Sequence, residues 1–258
     1  MAASSGREEY RRGVGWTTTP EQLTAGGFRF RDRREAGRAL AERLRGYRGR
    51  EDVTVLALPR GGVPVAFEVA SALRAPLDVF LVRKLGVPGH EELAFGAIAS
   101  GGLVVLDRDV VRQLGIPSAT IEQVIAREAA ELERRDRAYR GDLPPPELRG
   151  RTIILIDDGL ATGSTMMAAA AAVAQQQPAR LIIAVPVAAA ETCERLRREA
   201  DEVICLLTPS PFHAVGIWYG DFQPVGDEEV RRLLAAATRP DDKRTQATPS
   251  QAGHGVAR

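Results

Sequence analysis

Residues Thr152 to Ala174 read TIILIDDGLATGSTMMAAAAAVA, and this stretch decides the fold. An apolar run, Ile153-Ile154-Leu155-Ile156, ends abruptly at two carboxylates, Asp157 and Asp158. A small-residue turn follows from Gly159 to Gly163, and Ser164-Thr165 open an Ala-rich helical stretch. A buried strand feeding such a turn delivers backbone N–H groups at a helix N-terminus, which favours a phosphate. The acidic pair sits where ribose hydroxyls or a metal-bound sugar could be held. One short segment thus combines an anion cradle with paired carboxylates, a combination suited to a phosphorylated sugar.

Outward from this segment, strand-like and helix-like runs alternate, the mark of a mostly parallel sheet flanked by helices. The expected elements are a helix over Arg31–Tyr47, a strand at Val53–Leu58, a helix at Val63–Leu73 and a strand at Leu77–Val82. A short strand at Leu103–Leu106 and a charged surface helix at Ser118–Arg140 follow. Beyond the opening segment come a strand at Leu181–Val187, a helix at Glu191–Ala200 and a strand at Glu202–Leu207. In open α/β sheets ligands bind at the C-terminal strand edge, and both Arg60-Gly61-Gly62 and Asp157–Thr165 fall there.

The bulk composition bounds the class. The chain has 258 residues, 44% hydrophobic and 27% charged, with a net charge of +1. That suits one sizeable α/β domain with extensions, and no global field points to nucleic acid or an acidic membrane surface. The expected organisation is an N-terminal arm over 1–26, a domain over 27–238 with a charged helical insertion at about 118–140, and a disordered tail over 239–258. Apolar runs fall well short of the roughly 20 residues that span a bilayer. The charged start MAASSGREEYRRG lacks the apolar core of a signal peptide, so a cytoplasmic location is expected. Cys193 and Cys205 lack metal-site spacing and read as two reduced buried thiols.

The segment Asp157–Thr165 is not a P-loop, because no lysine precedes the hydroxyl, and it lacks the GxGxxG of a dinucleotide fold. The hydrophobic strand, acidic pair and Thr/Gly/Ser loop resemble the type I phosphoribosyltransferases. In order and spacing of parts the resemblance covers about residues 30–230 and is clearest at 53–100 and 152–187. It implies transfer of ribose 5-phosphate from phosphoribosyl pyrophosphate (PRPP) to a nitrogen nucleophile, usually a nucleobase, with release of pyrophosphate. Mg²⁺ would bridge pyrophosphate and ribose oxygens, with Asp157 and Asp158 touching it at most through water.

Carried onto this chain, the resemblance assigns Asp157 and Asp158 to the ribose hydroxyls. Gly159, Ala161, Thr162, Gly163, Ser164 and Thr165 would hold the 5-phosphate. Either aspartate alone would suit a simple strand terminus; both beside a phosphate-shaped turn do not. Arg60-Gly61-Gly62 corresponds to the pyrophosphate turn, where Arg60 would neutralise charge on the leaving group. Arg83 to Gly102, with five glycines after Arg83-Lys84, suits a mobile lid, with Lys84 ahead of Arg83 as the pyrophosphate contact. Trp218, Tyr219, Asp221 and Phe222 could form a hood that stacks on the acceptor, or could close the core.

The resemblance makes the expected partners PRPP and a small-molecule acceptor, with a homodimer open. A second reading is a non-catalytic sensor of PRPP or a nucleotide built on the same fold. A receiver-type phospho-acceptor ranks behind both, since no lysine follows the later strands.

Overall fold

The structure is a computed structural model that describes residues 29–141 and 143–237. The arm expected over 1–26 and the tail expected over 239–258 lie outside the described residues. Five parallel strands form the main sheet in the order β2-β1-β6-β7-β8. They are β1 (Val53–Ala57), β2 (Leu77–Val79), β6 (Thr152–Ile156), β7 (Arg180–Val187) and β8 (Glu202–Leu207). The helices around them are α1 (Arg33–Arg43), α2 (Gly62–Leu73), α5 (Ser164–Gln175), α6 (Ala190–Leu196) and α7 (Asp227–Ala237).

The central strands are buried on both faces, as their unbroken apolar runs require. Ile153, Ile154, Leu155 and Ile156 of β6 are fully buried, as are Val53, Val55 and Leu56 of β1. Each such side chain contributes about 2 kcal/mol relative to exposure. β1 and β6 are neighbours in register from Val53 opposite Thr152 to Ala57 opposite Ile156. The turns that leave their C-terminal ends therefore start side by side, and Leu58 N–H donates to the Ile156 carbonyl at 2.9 Å.

The segment expected as a lid is instead folded. β3 (Val82–Val87), β4 (His90–Ala99) and β5 (Leu103–Leu106) form an antiparallel sheet in that order. Apolar alternation outweighs the glycines, because Leu85, Phe95, Ala97 and Ile98 are buried in it. Gly96 serves close strand approach, since a Cβ there would stand 2.4 Å from the Val105 carbonyl oxygen. The expected strand Leu77–Val82 accordingly divides at Phe80–Leu81, where the chain passes from one sheet to the other. Buried Ser100 fastens this junction by accepting from Leu81 N–H at 2.9 Å.

The long helix α4 (Ser118–Arg140) has the expected bounds and lies at the surface, with one face docked on the body. Val124, Leu132 and Tyr139 bury one stripe, and Arg140, 8% exposed, donates to Asp78 at 2.8 Å and to the Val79 carbonyl. A short helix, α3 (Arg108–Gln113), precedes it, capped by Asp107. Cys193 and Cys205 are not free thiols; they form a disulfide between α6 and β8, which pack together. Among the described residues no helix is long and apolar enough to cross a membrane.

Candidate active site

Between β6 and α5 the chain builds the expected phosphate turn. Gly163 takes φ 70°, a left-handed conformation that side chains disfavour, and starts α5 at Ser164. The backbone N–H groups of Ala161, Thr162, Gly163 and Thr165 have no protein acceptor among the described residues. That is the arrangement of a helix N-terminus open to an anion. The hydroxyls of Thr162 and Ser164 lie 3.1 Å apart on the same rim.

Asp157 and Asp158 stand at the end of β6, just before this turn. Burial pushes the Asp157 carboxyl well above its ordinary value, and the neighbouring Asp158 charge adds to the shift. Asp158 is also raised by burial, but the Arg33 guanidinium opposes it. Arg33 Nε lies 2.8 Å from Asp158 Oδ2, both side chains being mostly buried. The pair therefore titrates in two linked steps, with Asp158 the more acidic member.

The turn after β1 closes directly onto this acidic pair. A Cβ on Gly61 would stand 2.0 Å from Asp158 Oδ2, and one on Gly62 would stand 2.7 Å from the Ile156 carbonyl oxygen. Glycine is required at both places for the two loops to meet. The Pro59–Arg60 peptide bond is cis. Arg60 reaches outward, half exposed, with Asp227 at 3.8 Å. A cavity of about 270 Å³ is lined by Leu58, Pro59 and Arg60 and by Thr165 in the first turn of α5.

Arg83 and Lys84 diverge, because successive residues of a strand face opposite ways. Arg83 lines the cavity, with Glu128 at 2.5 Å, whereas Lys84 is exposed and does not line it. The aromatic segment is mostly structural. Tyr219 is buried and donates to the Asp158 carbonyl at 2.5 Å. Its ring stacks on Phe222 at 5.0 Å, and Phe222 lies under the Arg33 guanidinium at 3.9 Å. Trp218 is half-buried, with its indole N–H lacking an acceptor among the described residues, and Asp221 is exposed.

Two contributors carry no sequence signal. Arg33 meets Asp158 across 125 positions. Thr192 of α6 donates to the Ala161 carbonyl at 2.6 Å and packs its methyl against Gly163. Among the described residues no cluster of three or more His, Cys, Asp or Glu side chains could hold a metal by itself.

The phosphoribosyl transferase domain model matches residues 87–217. The protein TT1426 of Thermus thermophilus is 46% identical, with 81% of this chain and 99% of that one covered, at a TM-score of 0.73. In Mycobacterium tuberculosis H37Rv, the protein named "Putative phosphoribosyl transferase Rv0571c" is 46% identical over 210 residues. The match covers 81% of this chain and 47% of that relative, and the counterpart in strain CDC 1551 gives the same figures. The chain thus spans about half the length of the curated relatives it matches. It belongs to the phosphoribosyl transferase domain family.

Proposed function

We propose that the protein transfers ribose 5-phosphate from PRPP to a nitrogen acceptor, with a nucleobase the favoured class, as an enzyme of nucleotide metabolism. The observation that carries this reading is the contact of Gly61 with Asp158: a Cβ at Gly61 would stand 2.0 Å from the Asp158 carboxylate. A turn suited to pyrophosphate and a pair suited to ribose hydroxyls are thus contiguous, as a donor spanning both demands.

In this reading the N–H groups of Ala161 to Thr165 hold the 5-phosphate, and Asp157 and Asp158 accept hydrogen bonds from the ribose hydroxyls. Arg60 neutralises the diphosphate as the C1–O bond breaks and its electron pair leaves with pyrophosphate. The acceptor nitrogen then forms the C1–N bond and gives its proton to water. Holding donor and acceptor in line supplies much of the acceleration. Asp157 and Asp158 would reach Mg²⁺ through water, its other ligands being substrate oxygens and solvent, as suits an ion that keeps several waters. Bound there with PRPP, Mg²⁺ would supply charge neutralisation.

Pyrophosphate release from PRPP and Mg²⁺ across a panel of bases tests the reading. Turnover with one acceptor, lost in Asp157→Asn/Asp158→Asn, is the expected result. Failure of the folded protein to bind PRPP in calorimetry would refute it. Binding without turnover for any acceptor would favour the sensor.

A further inference from the structure

The long helix α4 forms a wall of the cavity, opposite the Pro59–Arg60 turn. Leu132, Arg135 and Tyr139 line it at spacings of three and four, the positions that share one helical face. Leu132 and Tyr139 are buried, which fixes the height of the helix, and Arg140 pins its end to Asp78. Arg135 lies between these anchors, so packing fixes its place on the helix beside the cavity, while its side chain is 48% exposed.

Three arginines therefore line one cavity: Arg60, Arg83 and Arg135. Carboxylates surround them unevenly. Arg83 Nε engages Glu128 at 2.5 Å, with Glu131 at 4.0 Å. Arg135 Nε donates to Glu131 at 2.8 Å, while its two terminal nitrogens have no partner among the described residues. Those nitrogens form the planar fork that matches phosphate oxygens. Tyr139 donates to Asp227 at 2.6 Å, and Asp227 faces Arg60 at 3.8 Å, so α4 also steadies the carboxylate beside Arg60.

We propose that α4 completes the diphosphate end of the site, with Arg135 binding the diphosphate group beside Arg60 and Arg83. This rests on the donor reading above and adds to it a binding residue outside the two turns. The ligand chemistry is a diphosphate, present both in PRPP and in free pyrophosphate. Ribose 5-phosphate lacks it and depends on the other turn.

Calorimetry on the full chain with Mg²⁺ and each of these three ligands separates the possibilities. Arg135→Gln should weaken pyrophosphate and PRPP about tenfold, the scale of one charge-assisted hydrogen bond, and leave ribose 5-phosphate unchanged. Arg135→Lys should recover part of the loss. Arg137→Gln, which alters an exposed pair with Glu133, should change none of the three. Thermal melting establishes that each variant is folded. Wild-type affinity for pyrophosphate in folded Arg135→Gln overturns the inference and leaves the donor reading intact. Equal losses for all three ligands also overturn it, as a general distortion. Failure of the wild type to bind either PRPP or pyrophosphate overturns both.

Discussion

Arg33 Nε lies 2.8 Å from Asp158 Oδ2, so the first turn of α1 reaches the acidic pair at the end of β6. The same guanidinium donates to the Gln223 carbonyl at 2.8 Å and covers the Phe222 ring. One side chain therefore joins the N-terminal helix, the acidic pair and the aromatic segment. Removing it leaves Asp158 poorly solvated beside a second carboxylate.

Arg33→Ala is accordingly expected to destabilise the fold by about 3 kcal/mol, the scale of breaking a largely buried ion pair from one side. Arg33→Ala/Asp158→Asn should be less destabilised than the sum of the two single variants. Urea denaturation of all four proteins measures this. Strict additivity would show that the pair is not coupled.

The contact of Gly61 with Asp158 predicts a separate failure. A methyl at Gly61 must displace the Asp158 carboxylate, because 2.0 Å is far inside van der Waals contact. Gly61→Ala should cost about 1–3 kcal/mol, as overpacking does, and should abolish PRPP binding. Gly226→Ala, where nothing lies within 4 Å of the added methyl, should bind PRPP like the wild type. Melting curves and calorimetry read both effects, and normal PRPP affinity in Gly61→Ala would refute the placement of the donor.

Local signals and long-range contacts were not equally legible. Apolar runs located β1, β6 and β7, and the charged stretch Ser118–Arg140 located α4 at its observed bounds, because these depend on neighbouring residues. The order of parts also placed the two turns at one sheet edge. The glycines between Arg83 and Gly102 suggest a lid, but Leu85, Phe95 and Ile98 give the segment enough buried surface to fold as a sheet. The partners of Arg33 and Thr192, and the place of Arg135 beside the cavity, depend on how distant elements dock, which no local spacing encodes. The Cys193–Cys205 disulfide belongs to the same class, since it depends on how α6 lies on β8.

The raised pKa of Asp157 gives a pH dependence with a definite sign. A carboxyl whose folded pKa is raised binds its proton more tightly folded than unfolded. Its effect on stability is absent below the ordinary value of 3.8 and becomes progressively destabilising as pH rises towards the folded value. Asp157→Asn removes that penalty. Its melting temperature should exceed that of the wild type by several degrees at neutral pH, with the gap closing in acid. PRPP affinity should fall in the same variant, a cost in function for a gain in stability. A gap that is constant across pH would show that Asp157 is not the group responsible.

The phosphate turn has its own support, and its removal should be visible without touching any proposed ligand contact. Thr192 donates to the Ala161 carbonyl at 2.6 Å, while its methyl fills the space where a Gly163 side chain would stand. Thr192→Val keeps the shape and removes only the hydroxyl. The Ala161 carbonyl then loses its partner, at about 0.5–1.5 kcal/mol, and the turn is freer to move. Ribose 5-phosphate affinity should drop several-fold, whereas pyrophosphate affinity should stay at the wild-type level because Arg60 and its turn are untouched. Calorimetry with the two ligands distinguishes the outcomes. Equal weakening of both would mean that α6 supports the whole site, and no weakening would mean that the turn holds its form without Thr192.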